Sequence, residues 1–190
     1  MEVFTLIASI IGALAWLPTI IDKLQKSKIQ GKIINYFQAY NSHITYPVLE
    51  ETRTLEGLQY IIKLSFVVTN RNFNLRDIKV NLKYHNDPKI YKGELFWPNN
   101  FVNTNSMTGR KQRLKISPNE SISFLHSLKK DETINAYLIF IVNKKVPANF
   151  EEFEFVFINH KKEKLKMKFR REDIDFKNIL REDDMFEPIT

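Results

Sequence analysis

Leu58-Gln59-Tyr60-Ile61-Ile62-Lys63-Leu64-Ser65-Phe66-Val67-Val68-Thr69 is the stretch that decides the fold class. Its alternate positions, Leu58, Tyr60, Ile62, Leu64, Phe66 and Val68, put apolar side chains on one face, which is the period of a strand with one side buried. A second run, Arg76 to Tyr84, repeats the pattern, with Ile78, Val80, Leu82 and Tyr84 opposed to Lys79, Asn81 and Lys83. Between the two runs, Asn70-Arg71-Asn72-Phe73-Asn74 supplies asparagines, which tolerate left-handed backbone and close turns.

Outward from this pair, strands are predicted at Lys32 to Tyr40, Ile90 to Trp97, Arg113 to Ile116, Ser121 to Leu128, Ile134 to Asn143, Phe153 to Ile158 and Lys164 to Arg170. Phe, Ile, Val and Tyr dominate them, as side chains on a half-buried pleated surface do. No ten-residue helical pattern separates them, so the expected class is mainly β, an antiparallel β-sandwich with a small β-barrel as the alternative. The last hairpin can be read to the residue. If Phe157 opposes Leu165, then Phe155 meets Met167 and Phe153 meets Phe169 inside, while Glu154 stands beside Lys168 and Glu152 beside Arg170 outside.

The amino-terminal stretch is different in kind. Val3 to Ile21 is nineteen residues without a charge, and as a helix it would reach about 28 Å, close to the thickness of a bilayer core. Lys23, Lys26, Lys28 and Lys32 follow it, so the lysines should stay cytoplasmic and the amino terminus should cross. The expectation is a single-pass protein of the inner (plasma) membrane with its C-terminal domain in the cytoplasm. Its parts are a transmembrane anchor and basic segment over residues 1–28, a β-sandwich domain over 29–171 and an acidic tail over 172–190. Two other readings of the stretch stay open: a cleaved export signal, with Ala13-Leu14-Ala15 as its small-residue site, and a buried helix. Thr5, Ala8, Ser9, Gly12 and Ala13 form a stripe of small residues on which spanning helices approach closely, and that points to a homo-oligomer.

The chemistry the sequence excludes is as informative. There is no cysteine, and His43, His85, His126 and His160 have no second ligand at metal spacing, so neither a metal nor a cofactor is expected. Five glycines, none in a Gly-rich loop, give no phosphate-cradling turn, and no Gly-x-Ser-x-Gly elbow occurs. The adjacent carboxylates Glu50-Glu51, Glu151-Glu152 and Asp183-Asp184 point to opposite faces if extended. No catalytic residue is nominated, and the chain is read as a non-enzyme.

Charge carries the remaining signal. Of 29 Lys+Arg and 22 Asp+Glu, the residues from Arg171 onward hold three cations and seven carboxylates, so positive charge collects upstream. Lys161, Lys162, Lys164 and Lys166, at the tip of the last hairpin, are expected to lack carboxylate partners and to contact an anionic surface, with a solvated or edge-protecting face as the bland alternative. The polar segment Pro98 to Gly109 reads as a loop. Trp97 and Phe101 near its start, with Arg110, Lys111 and Arg113 at its end, would suit an anionic aromatic ligand such as a nucleotide. The partners implied are membrane lipid, a second copy of the chain, and a nucleotide or protein ligand; sequence-specific nucleic-acid binding is not expected.

Two resemblances add to this. Phe66-Val67-Val68-Thr69-Asn70, Ile78-Lys79-Val80 and Ile116-Ser117-Pro118-Asn119-Glu120-Ser121-Ile122-Ser123-Phe124 resemble the strand, turn and Pro-Gly-Glu corner of bacterial immunoglobulin-like domains. Asn119 stands at the glycine, where the resemblance implies positive φ. The plan of hydrophobic anchor plus small cytoplasmic β-domain is similar to ligand-gated membrane effectors of bacterial antiphage signalling. It implies a sensor that acts through its span. A scaffold recruiting partners to a membrane complex, or an exported β-domain with a cleaved signal, are the alternatives.

Overall fold

The computed structural model describes residues 26–48, 51–95, 102–104, 111–143, 149–174, 181 and 185–188. Alternation becomes strand where it was expected. The strands are β1 (Lys28–Val48), β2 (Glu51–Thr69), β3 (Phe73–Tyr84), β4 (Asp87–Leu95), β5 (Val102–Thr104), β6 (Lys111–Leu114), β7 (Ser127–Leu128), β8 (Thr133–Val142), β9 (Phe150–Asn159), β10 (Lys164–Arg170) and β11 (Phe186–Pro188). Described ladder pairs are antiparallel, in the order β10-β9-β3-β4-β8-β2-β1-β5-β6-β11, with β7 added beside β3. The sheet curls until β1 lies beside β10. The result is one nearly closed antiparallel sheet, nearer to the barrel alternative than to two separate sheets.

Closure makes the interior. Leu58, Tyr60, Ile62, Leu64, Phe66 and Val68 all point inward, joined by Val80, Leu82, Leu138, Phe140, Phe153, Phe155 and Phe157. Rings fill it: Phe153 lies 5.6 Å from Tyr60 and 4.2 Å from Phe150, centroid to centroid. The tyrosine hydroxyls inside find partners, as burial requires, although Gln38 Nε2 has none. The Tyr60 and Tyr84 hydroxyls meet at 2.9 Å, and Tyr36 donates to Gln38 Oε1.

Outside the barrel, β5, β6 and β11 extend the sheet from the far half of β1. Leu114, Ile116, Met185 and Phe186 cover Phe37, Ile61, Ile139 and Ile141 on the outer face, making a second core. Part of the acidic tail is thus packed into the domain. Pro188 sits at the edge of β11, where a missing N–H costs no ladder bond. Gln59, fully buried on this face opposite Ala39 and Ile141, has no partner for either amide atom.

Several expectations are corrected. Ser121 to Leu128 is not one strand. Ile122–Phe124 is a 3-10 turn capped by the Ser121 hydroxyl, which accepts from the Ser123 N–H, and Ser127–Leu128 alone forms a strand, β7. A serine that bonds its own backbone competes with the ladder. Positive φ outside glycine falls, among the described residues, at Asn70, Asn86, Asp131 and Lys162, so Asn119 does not adopt it; it lies in the 3-10 turn Pro118–Glu120. The turn after β2 ends at Asn72, because Phe73 and Asn74 pair with Leu128 and Ser127. Within the expected loop Pro98 to Gly109, Val102–Thr104 forms β5, paired with both β1 and β6. Val3–Ile21, with Thr5, Ala8, Ser9, Gly12 and Ala13, lies outside the described residues. Among the described residues no helix is long and apolar enough to cross a membrane.

Candidate functional site

Three turns and the start of β1 share one end of the barrel. The pairs Lys28↔Thr69 and Val67↔Thr133 place the beginnings of β1 and β8 with the end of β2. The β2–β3 turn, the β7–β8 turn and the β9–β10 turn therefore form a common rim. Each contains a left-handed residue, Asn70 (φ 75), Asp131 (φ 59) and Lys162 (φ 63), and aspartate and asparagine accept that conformation at low cost.

Hydrogen bonds tie the turns together. Asn70 Nδ2 donates to the Lys26 carbonyl at 2.7 Å, and Arg71 Nε to Ser27 Oγ at 3.2 Å. Asp131 N–H donates to the Val68 carbonyl at 2.8 Å, and Lys130 N–H to Asn72 Oδ1 at 2.7 Å. Arg71 Nη2 reaches Glu163 Oε1 at 2.6 Å, joining the first turn to the third. Asn159 Nδ2 holds the other oxygen of Glu163 at 2.6 Å. That bond above all holds the Glu163 carboxyl below its ordinary pKa; burial opposes it, and the Arg71 guanidinium and Lys161 add to the lowering.

A pH test follows with a definite sign. A carboxyl depressed on folding contributes stability that is fully present above its unfolded pKa and lost as pH falls through the folded value. Thermal melts of the purified full chain and of Glu163→Gln should therefore differ most near neutrality and converge as pH drops below the ordinary glutamate range. A gap that stays constant with pH would count against the coupling.

The rim is strongly basic. Lys26, Lys28, Arg71, Lys129, Lys130, Lys161, Lys162 and Lys164 gather there with Asp131, Glu132 and Glu163, and all of these lysines are exposed. Two of the three carboxylates are engaged locally: Glu163 by Arg71, and Glu132 by Lys129 at 3.8 Å. No ion pair of Lys26, Lys28, Lys161, Lys162 or Lys164 is present among the described residues. The basic groups are spread over three turns and the start of β1. They suit a broad anionic surface better than one bound phosphate.

Of the expected sites, the lysine run divides. Lys161, Lys162 and Lys164 are on the rim, but Lys166 stands on the outer face of β10 and binds Glu154 at 3.2 Å. The ladder register of the hairpin is the expected one throughout. Lys168 meets Glu154 directly opposite at 3.9 Å, as expected, and Glu152 on the diagonal at 3.2 Å, while Arg170 turns to Glu172 at 3.4 Å. Trp97, Phe101 and Arg110 lie outside the described residues. Lys111 and Arg113 share the exposed side of β6, where Arg113 Nε is bonded to Glu187 of β11. A carboxylate of the tail thus already engages one of the two arginines expected to meet a phosphate. Lys129 and Lys130 were missed, because two lysines in a polar stretch carry no periodic signal; only closure brings them beside the hairpin tip.

Comparison with protein-family models, curated proteins and solved structures finds no match. The rim therefore has to be interpreted on its own chemistry. The opposite end of the barrel offers a cavity of about 750 Å³ that includes Lys83, His85, Glu151, Glu152, Arg170, Arg171 and Glu172. Its charges are of both signs, and Arg171 lies 5.4 Å over the Phe150 ring. It selects no ligand charge. Among the described residues no cluster of His, Asp or Glu could hold a metal ion.

Proposed function

We propose that the chain is a membrane-anchored β-domain of the inner membrane, held by Val3–Ile21 as a single span, whose cytoplasmic barrel meets a ligand or protein partner and acts through that span. One observation supports it above others: the first strand starts at Lys28 on the basic rim, so in the chain the uncharged segment leads directly into the end of the barrel that carries Lys26, Lys28, Lys161, Lys162 and Lys164. Lysines flanking a span on one side are what retain a domain in the cytoplasm. The resemblance to antiphage effectors suggests a nucleotide for the sensing step, and the scaffold alternative replaces it with a protein.

Alkaline carbonate extraction of cell membranes tests the anchor. The full chain should remain in the pellet, and a variant carrying Ile10→Arg with Leu14→Arg should be released. A charged residue near the middle of a span costs about 2.5–3.5 kcal/mol on insertion, so two of them outweigh a marginal anchor. Release of the unaltered chain would dismiss the proposal. Protease added to intact cells should leave the C-terminal domain whole.

A further inference from the structure

We infer that the basic rim is a docking surface for anionic lipid headgroups, so that the barrel stands end-on against the leaflet from which its chain emerges. This rests on the anchored reading for where the surface lies, but not for its chemistry. Five residue steps from Ile21 to Lys26 extend at most about 18 Å, and Lys26 is bonded through its carbonyl to Asn70 on the rim. A span ending at Ile21 would leave the rim no room to turn away from the headgroups.

The rim's charges are placed for that distance. Lys26 and Lys28 come from the chain entry, Lys129 and Lys130 from the second turn, and Lys161, Lys162 and Lys164 from the third. These positions are far apart in sequence, and closure of the sheet puts them on one end. Screening extends about 8 Å at physiological ionic strength, so only charges held near a surface feel it, and these would be held there. The turns that carry them are braced by Arg71–Glu163, Asn70–Lys26 and Asn72–Lys130 bonds, so little backbone freedom is lost on contact. Lysine on a flexible stem suits a fluid array of headgroups without fixed geometry.

The test uses the full chain reconstituted in two sets of vesicles, one of phosphatidylcholine alone and one containing a third phosphatidylserine, with lysine acylation followed by mass spectrometry. Lys129, Lys130, Lys161, Lys162 and Lys164 should react roughly fivefold more slowly on the anionic vesicles, the ratio that about 1 kcal/mol per lysine gives. Lys83 and Lys92, away from the rim, should not change. High salt should abolish the difference, and Lys161→Gln with Lys162→Gln and Lys164→Gln should remove the protection of Lys129 and Lys130. Equal reactivity on both vesicles overturns the inference, as does protection by inorganic phosphate on phosphatidylcholine vesicles. Carbonate extraction of the same vesicles reads the anchor separately: a chain that is stripped off yet protected on anionic lipid sinks the anchor and keeps the docking surface.

Discussion

Phe153→Ala should cost the domain about 3–5 kcal/mol, enough to leave much of the protein unfolded at 37 °C. Phe153 is fully buried, and its ring meets those of Tyr36, Tyr60, Phe140, Phe150 and Phe155 at centroid distances of 6.3, 5.6, 6.2, 4.2 and 5.9 Å. These rings come from β1, β2, β8 and β9, so the truncation opens a void where four strands converge. A ladder cannot collapse into such a void without breaking register, so relaxation should recover little. Urea denaturation of the full chain should show a lower midpoint with an unchanged slope. A loss below about 1 kcal/mol would mean that the interior is loosely packed there.

Gly57→Ala is the second large effect. Gly57 has φ 152, and a Cβ on it would lie 2.1 Å from the Val142 carbonyl oxygen and 2.9 Å from that carbonyl carbon. Both atoms are backbone, so no side chain can swing aside. The residue stands where β2 begins to pair with β8, beside the irregularity between Ala39 and Ser42 in β1. A methyl group must therefore push two strands apart at the point where the long β1–β2 hairpin leaves the barrel. Backbone strain of this kind costs about 1–3 kcal/mol before the clash is counted. The melting temperature should fall by several degrees or more, and hydrogen exchange should quicken at Leu58 and Val142. A variant as stable as the parent would show that the two strands do not approach so closely.

The interior was legible in the sequence because the strands that build it place an apolar residue at every second position on the inner face, even where β2 and β8 also bury Ile61, Ile139 and Ile141 outside. Leu58 to Val68 and Ile78 to Tyr84 alternate cleanly, and the register of β9 with β10 could be read to the residue from Phe153, Phe155 and Phe157 against Leu165, Met167 and Phe169. The twist of the pair was not legible. It adds the diagonal pairs Lys166–Glu154 and Lys168–Glu152 to the expected Lys168–Glu154 pair, so Lys166 is paired and Arg170 is left to Glu172. Three-residue strands such as β5 and β11 carry too few positions for any period. The rim was visible in one part, the lysines of the β9–β10 tip. Its other parts depend on closure of the sheet, which no local pattern records.

That closure also sets an order of events during synthesis. β1 and β10 both start at the rim and run the same way, and they meet side by side without ladder pairs among the described residues. The strand made first thus waits for the strand made near the end, across more than a hundred intervening residues. Until then the β1–β2 hairpin leaves the ribosome with an uncovered apolar face and a bare edge, the condition in which nascent strands stick to one another. Lysines on the early edge, Lys28 and Lys32, are therefore suited to keep nascent copies apart while the barrel is still open.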